Sequence, residues 1–267
     1  MNEAKALHQM NPKSRFTNRA EDYAKYRPSY PDEVIDRIVA ELDNVPESVA
    51  VDVGAGTGIS SRLLADRAIK VIAIEPNEAM RQAAEAHPLV EFREGGAEDT
   101  GLDDASVDLV TCFQSFHWFD PEPTLKEFAR ILKPEGKLAV IWNNQNREDE
   151  FTNEYSKSTK IASSYDTELR FGIEKFFSDL GQRGEKFSQN SILFDSALHL
   201  VYSNQQILNL QALVGRALSN SYAPRSEIGR NKLVRDLHQI HQRYADEHGL
   251  VYLQYKTNLY LTGLSNQ

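Results

Sequence analysis

The stretch AVDVGAGTGIS, residues 50–60, places glycines at 54, 56 and 58 directly after a run of β-branched residues. Residues 49–53 read as a short interior strand and 59–67 as the first turns of a helix. Glycine stands where the backbone must turn sharply or admit a close approach. The stretch therefore reads as a strand-to-helix turn built to hold a ligand.

Outward from this turn, strand-like and helix-like segments alternate through the first half of the chain. A helix opens at Pro31, Asp32 and Glu33, with Val34, Ile38 and Leu42 on one face. Strands are expected at 49–53, 71–74, 90–93, 107–113 and 138–142, with helices near 59–67, 78–86 and 122–132. Strands separated by single helices imply right-handed crossovers and a parallel sheet covered on both faces, an α/β doubly wound fold. Beyond Asn143 the pattern changes. Residues 145–189 are polar and charged, and Phe151, Tyr155, Ile161, Leu169, Phe176 and Leu180 recur at loose helical spacing, which predicts helices over the open edge of the sheet. A strand near 199–202, helices near 207–218 and 227–248 and an alternating strand over 250–264 complete the chain. With no internal repeat or linker, 1–267 reads as one domain: a core over 16–143, a helical cover or insertion over 144–190, and strands and helices over 191–267 that complete the sheet.

Composition narrows the partner. The chain of 267 residues is 40% apolar and 26% charged, as globular proteins are. No window approaches the ~18 apolar residues of a membrane span, and the polar start lacks the apolar core of a secretion signal; a cytoplasmic protein is expected. The net charge of −9 argues against a polyanion, because nucleic-acid binding draws on basic patches. A small molecule is the expected partner, with neither nucleic acid nor membrane. The single cysteine, Cys112 in VDLVTCF, reads as a buried thiol.

In a doubly wound sheet the ligand sits at the carboxyl ends of the strands, where strand order reverses. After the first strand come Gly54, Ala55, Gly56, Thr57 and Gly58; after the second comes Glu75, 17 positions beyond Gly58. A carboxylate there can accept hydrogen bonds from both hydroxyls of an adenosine ribose. The dinucleotide pattern G-x-G-x-x-G requires glycine where this chain has Ile59, and Asp52, two residues before the first glycine, would repel a pyrophosphate but could attract a cation. S-adenosylmethionine carries a sulfonium and an ammonium and no phosphate, and the spacing suits it better. A nicotinamide-dependent oxidoreductase remains the rival reading.

The chain resembles the class I S-adenosylmethionine-dependent methyltransferases in five blocks in register: residues 51–58, Ile74-Glu75-Pro76-Asn77 with Met80 one turn on, Gly96-Ala97-Glu98, residues 109–114, and Arg130-Ile131-Leu132-Lys133-Pro134-Glu135-Gly136. Tyr23 to Pro31, Phe116-His117-Trp118-Phe119, Trp142-Asn143, residues 218–224 and residues 255–260 are similar to the methyltransferase type 11 group, which includes trans-aconitate methyltransferases and related small-acid O-methyltransferases. The resemblance implies a Rossmann-like, mostly parallel seven-stranded sheet with its last strand antiparallel and a helical cover after the fifth strand. It also implies that Gly54, Ala55, Gly56, Thr57 and Gly58 line the methionine and ribose of the cofactor and that Glu75 holds the ribose hydroxyls. Pro76 and Met80 would flank the adenine, Ala97 and Glu98 would face its edge, and Gln114 would lie near the sulfonium. S-adenosylmethionine is the expected cofactor, and the expected reaction is in-line methyl transfer to a small molecule, with O-methylation of a carboxylic acid foremost. A protein or nucleic-acid methyltransferase is a further rival; Phe113-Gln114-Ser115-Phe116 lacks the Asp/Asn-Pro-Pro-aromatic signature of enzymes that methylate base amino groups.

Several residues keep two readings. Arg27, with Tyr23, Tyr26 and Tyr30, is either a packing segment over the sheet or a lid whose guanidinium grips the carboxylate of cofactor or acceptor. His117 is either a general base near its ordinary pKa of about 6.5 or a polar turn residue at the pocket edge. Phe116 and Trp118 either offer π faces to the sulfonium or pack. His238 and His241 fall one helical turn apart, but no third ligand is near in sequence, and no metal is expected.

Overall fold

The computed structural model describes residues 17–161, 193–220, 223–224 and 226–265. The run from which the sequence reading began forms β1 (Val49–Val53). It is flanked by β2 (Lys70–Ile74) on one side and β4 (Val107–Phe113) on the other, both parallel to it. With β3 (Val90–Arg93), β5 (Leu132–Gln145), β6 (Leu198–Leu208) and β7 (Val251–Gly263) they make one seven-stranded sheet in the order β3-β2-β1-β4-β5-β7-β6. Strands β1 to β5 are parallel. Strand β7 runs antiparallel to both β5 and β6, so it alone is reversed. The central strands are apolar on both faces because helices cover both: six of the seven residues of β4 are buried.

On one face, α5 (Pro121–Ile131) sets Leu125, Phe128 and Ile131 against Val51, Val110, Val140 and Trp142. On the other, α2 (Asp32–Val39) and α3 (Ile59–Ala65) bury Val34, Ile35, Ile38 and Leu64 against Ala50, Leu109 and Ile141. A third cluster joins α6 (Glu150–Ile161), α7 (Leu210–Leu218) and α8 (Glu227–Tyr244) to the far end of β7 through Tyr155, Leu213, Leu237 and Leu253. Each such side chain contributes roughly 1.5–3 kcal/mol on burial.

The element limits differ from the sequence reading where tertiary pairing intervenes. Strand β5 is far longer than 138–142: β7 pairs with it continuously from Lys137 to Gln145, and its first residue, Leu132, pairs with Val107 of β4. Its early part carries Pro134 and Gly136, and there the register with β4 shifts between Val107 and Leu109; proline offers no ladder N–H. Strand β6 runs through Ile207 and Leu208, which the sequence places in a helix, because they pair with Tyr252 and Val251. The helix begins only after Asn209, whose side chain accepts the Ala212 N–H at 2.9 Å. The last helix stops at Tyr244, short of 248, where Asp246 Oδ1 accepts the N–H groups of His248 and Leu250 and Gly249 turns the chain at φ +72°. The predicted helix over 78–86 is only α4 (Glu78–Gln82). Of the cover over 144–190, Phe151 and Tyr155 are buried on α6, whereas Leu169, Phe176 and Leu180 lie outside the described residues.

At the carboxyl end of the sheet, α1 (Ala20–Tyr26) and the segment after it lie across the strand ends. Asn143, at the end of β5, donates to Ser29 O at 3.0 Å, and Asn204 of β6 donates to the same carbonyl at 3.0 Å. Gln206 donates to Tyr26 O at 2.9 Å. Three amide side chains thus strap the N-terminal segment over the strand ends.

Candidate functional site

The site starts at the turn after β1. Gly54, Gly56 and Gly58 have φ of +71°, +60° and +74°, left-handed values that L side chains rarely adopt. The turn is closed by the N–H groups of Gly54 and Ala55, which both donate to Ile74 O, at 2.8 and 3.1 Å. Gly56 also leaves little room for a side chain: a Cβ there would lie 3.3 Å from Met80 Cε and 3.7 Å from the Tyr23 ring. Tyr23, Gly56 and Met80 therefore meet, and the Arg27 guanidinium lies 4.5 Å from the Tyr23 ring centroid.

Glu75 braces this turn from the end of β2. One carboxylate oxygen accepts the Gly56 N–H and the other the Asn77 N–H, each at 2.9 Å. Each oxygen keeps a second acceptor direction, as two ribose hydroxyls require. Burial raises the Glu75 pKa above the usual carboxylate value, opposed by these two N–H groups and by Arg81. Asn77 caps α4, and Pro76 is half-buried beside it.

Asp52 departs from its expected role. Its carboxylate is fully enclosed, with Oδ2 accepting the hydroxyls of Ser60 and Ser61 at 2.7 Å and Oδ1 that of Thr111 at 3.2 Å. Burial raises its pKa, and the three hydroxyls oppose that rise. Instead of facing a ligand's cation, Asp52 ties β1 to the first turn of α3 and so holds the glycine turn from beneath. Sequence reading missed Ser60, Ser61 and Thr111; only the buried acid hinted at partners.

Among the described residues, the Thr57 hydroxyl is buried and has no hydrogen-bond partner. A buried hydroxyl left unmade costs free energy, and its place in the turn fits a polar group of a bound ligand. With the three left-handed glycines and the doubly braced Glu75, it forms a cradle that suits S-adenosylmethionine.

The fourth strand supplies the opposite wall. Gln114 stands at φ +55°, unusual for a residue with a side chain. Its N–H donates to Ile141 O at 2.9 Å and its side-chain amide to Asn143 O at 3.0 Å. Ser115 Oγ donates to Val53 O at 2.7 Å, which fastens this wall to the end of β1. His117 follows in the turn Phe116–Trp118, buried beside a half-buried Trp118 with ring centroids 5.0 Å apart. Its Nδ1 accepts the Trp142 indole N–H at 3.4 Å. Phe116 is fully buried against Phe128 and so takes its packing role. Ala97 is buried, whereas Glu98 is exposed and accepts the Asp120 N–H at 3.1 Å at the start of α5.

Tyr26 and Tyr30 both pack against the body of the fold. Tyr26 sits over Gly215 of α7, where a Cβ would collide with its ring, and Tyr30 packs edge-on to Phe113 at 4.7 Å. His241 Nε2 lies 3.0 Å from Gly249 O, a contact that uses that ring nitrogen within its own turn. Among the described residues, no group of three or more His, Cys, Asp or Glu side chains could hold a metal. Cys112 is buried and its thiol pKa is pushed well up by burial. No helix among the described residues is long and apolar enough to cross a membrane.

Residues 51–140 match a family model described as a methyltransferase domain. An uncharacterized methyltransferase of Schizosaccharomyces pombe is 39% identical over 130 residues, 48% of this chain and 52% of that protein. A second protein of that yeast, described as methyltransferase-like, is 37% identical over 152 residues, 56% and 58% of the two chains. CRG1 of Saccharomyces cerevisiae, named "Probable S-adenosylmethionine-dependent methyltransferase", is 29% identical over 139 residues, 48% of this chain and 47% of that one. The chain thus spans about half the length of the curated relatives it matches. A solved structure of a candidate type II methyltransferase from Anaeromyxobacter dehalogenans superposes with a TM-score of 0.68 at 23% identity, over 88% of this chain and 97% of that one. A candidate methyltransferase of an antibiotic-biosynthesis pathway in Anabaena variabilis gives 0.57 at 21%, over 89% and 98%. These structures share the Rossmann-like fold, and the matched segment contains the glycine turn, Glu75 and the β4 wall: over residues 51–140 the chain is similar to a methyltransferase domain.

Proposed function

We propose that the chain methylates a small-molecule acceptor and that the acceptor oxygen belongs to a carboxylic acid. The observation that carries this reading is Arg27, whose guanidinium stacks on Tyr23 where Tyr23 meets the glycine turn. A planar fork of fixed positive charge suits a carboxylate better than any neutral group. S-adenosylmethionine, when bound, supplies a methyl group on positive sulfur: an acceptor lone pair forms the new bond to that carbon as the carbon–sulfur bond breaks and leaves its electron pair on sulfur. The chain's own task is alignment, which can supply about 7–11 kcal/mol of the barrier. On this reading the glycine turn and Glu75 fix the nucleoside, Arg27 orients the acid, and the strapped segment 26–30 keeps water from the reacting atoms. We read 1–267 as one catalytic unit, with 16–143 as its cofactor-binding core, 144–190 as a cover and 191–267 as the part that completes the sheet.

The first test is a thermal-shift titration with S-adenosylmethionine, S-adenosylhomocysteine, NAD and NADP. A ligand at 100 times its Kd stabilises the fold by roughly 2.7 kcal/mol, and only the two sulfur nucleosides are expected to do so. Labelled-methyl transfer to small carboxylic acids, with the matching amides as controls, then tests the acceptor. Arg27→Ala is expected to lower transfer to acids at least a hundredfold. Methylation of the amides or of simple hydroxyl compounds in place of acids overturns the carboxylate reading.

A further inference from the structure

We propose that Trp142 is a positioning residue that fixes His117 as a neutral imidazole with its proton on Nε2, so that His117 does not act as the base of the reaction. The proposal rests on the methyl-transfer reading of the site and narrows its acceptor to one that arrives already ionised.

Trp142 lies in β5, wholly buried among Phe116, Phe128 and Val140, with the Tyr260 ring edge-on at 5.8 Å. An indole N–H is a donor and never an acceptor, and a buried one requires an acceptor to offset its lost water. His117 Nδ1 takes that role at 3.4 Å. The direction of this bond follows from chemistry alone: Nδ1 must hold a lone pair, because a proton there would oppose the indole N–H. A neutral imidazole that accepts at Nδ1 carries its proton at Nε2.

The ring is held from its backbone side as well. Trp118 N–H donates to Ser115 O at 2.9 Å and Phe119 N–H to Phe116 O at 3.1 Å, which close the turn around His117. Ser115 in turn is bonded to Val53 at the end of β1. His117 therefore meets the indole from a turn anchored to the glycine strand, and the indole comes from the neighbouring strand of the same sheet.

A general base needs a lone pair within reach of the proton it removes. In this tautomer the one free lone pair of the ring is committed to Trp142, and the remaining nitrogen bears a proton. Transfer to a hydroxyl or a carbon acid releases a proton, and His117 so held has nowhere to receive it. Transfer to a carboxylate releases none: the oxygen lone pair becomes the new bond to carbon, and the broken bond's pair neutralises the sulfonium. The tautomer and the Arg27 fork thus favour the same acceptor class from independent observations.

The test is the ring nitrogen spectrum of the ¹⁵N-labelled chain near neutral pH, without added ligand. His117 is expected to show a pyridine-like Nδ1 and a pyrrole-like Nε2, and in Trp142→Phe the two resonances are expected to move toward tautomer-averaged values. A pyrrole-like Nδ1 or an imidazolium pattern in the wild type overturns the proposal, as does an unchanged pattern in Trp142→Phe. Because Trp142 is fully buried, a second measurement guards against a variant that does not fold. The Trp142 indole proton is expected to resist exchange with deuterium and to shift upfield in His117→Phe; an unshifted resonance overturns the proposal. Calorimetry with S-adenosylhomocysteine on the same sample separates the two readings, since failure to bind defeats the methyl-transfer reading and leaves the tautomer result intact.

Discussion

On the methyl-transfer reading proposed above, the site has a cofactor wall and an acceptor wall, and the two are built by different means. The cofactor wall is mostly main chain: three left-handed glycines, two N–H groups donating to Ile74 O and two to the Glu75 carboxylate, all from stretches close in sequence. The proposed acceptor wall is mostly side chain, and the partners that strap it are far apart: Asn204 with Ser29 and Gln206 with Tyr26, 175 and 180 positions away. A main-chain wall is encoded by which residues lack side chains. A side-chain wall is encoded by which residues the fold brings together, so substitutions in the two should fail in different ways.

The largest effect is expected where the main-chain wall has no room. A Cβ at Gly54 would come within 2.6 Å of Ser115 Cβ and 3.0 Å of the Phe119 ring, at φ +71°. Gly54→Val should cost roughly 3 kcal/mol or more of stability and weaken S-adenosylhomocysteine binding over a hundredfold, as read by urea titration and calorimetry. Gly249 has a similar φ of +72° but nothing within 4 Å of the added atom. Gly249→Ala should therefore pay only the conformational cost of about 1–2 kcal/mol, with binding unchanged. Equal losses in the two variants would show that conformation, and not close approach, is what Gly54 provides.

Next comes a side-chain support inside the cofactor wall. Glu127 of α5 accepts the Thr100 N–H at 2.8 Å and its hydroxyl at 2.6 Å, and pairs with Arg130 at 2.8 Å. It thereby holds the loop that carries Ala97. Burial works against its charge, yet Arg130 and Thr100 hold its pKa down at about 2. A depressed carboxylate contributes stability that is present above the ordinary value of about 4.5 and is lost as pH falls toward about 2. Wild type should exceed Glu127→Gln by about 1–3 kcal/mol at neutral pH, discounted for the water around Arg130. The gap should close in acid. A gap that persists at pH 2 would place the support elsewhere.

How much of this was legible follows from the same contrast. The strands at 49–53 and 107–113 could be placed from sequence to the residue, because buried parallel strands are apolar runs bounded by turns, and the edge strand at 90–93 by its alternation of apolar and charged residues. The glycine turn and Glu75 were legible because their spacing is the motif. Strands β5 and β6 were not, because the late part of β5 and the length of β6 are set by pairing with β7, more than a hundred residues after β5. Asp52 was legible as an acid but not as an enclosed one, since Thr111 reaches it from another strand. Nothing local marks Asn204 and Gln206 as clamps; they are polar residues at alternate positions of an edge strand, where polar residues are ordinary.

Those clamps give a smaller effect that falls on the acceptor wall. Asn204→Ala with Gln206→Ala removes two amide bonds to the strap at Ser29 and Tyr26, each worth about 0.5–1.5 kcal/mol. Because the strap carries Arg27, the KM for the acceptor should rise about tenfold, which corresponds to roughly 1.4 kcal/mol. Affinity for S-adenosylhomocysteine should change much less. Equal changes in both would mean that the strap belongs to the cofactor wall, and the division drawn between the walls would fail.

The smallest effect tests Glu75, the side chain that on the same reading meets the cofactor through charge. Burial raises the Glu75 pKa, so between the ordinary value and the raised one the unfolded chain ionises first. Its contribution to stability is therefore fully present below the ordinary carboxylate pKa and declines as pH rises through the folded value. Ligand affinity should run the other way, because the ionised carboxylate is the stronger acceptor for ribose hydroxyls. The wild-type minus Glu75→Gln difference should thus fall with pH in urea titrations and rise with pH in S-adenosylhomocysteine calorimetry. Opposite slopes are the mark of a charge kept buried for a ligand at a stability cost. If both differences rise together, Glu75 is a brace for the glycine turn alone, and the cofactor wall is main chain throughout.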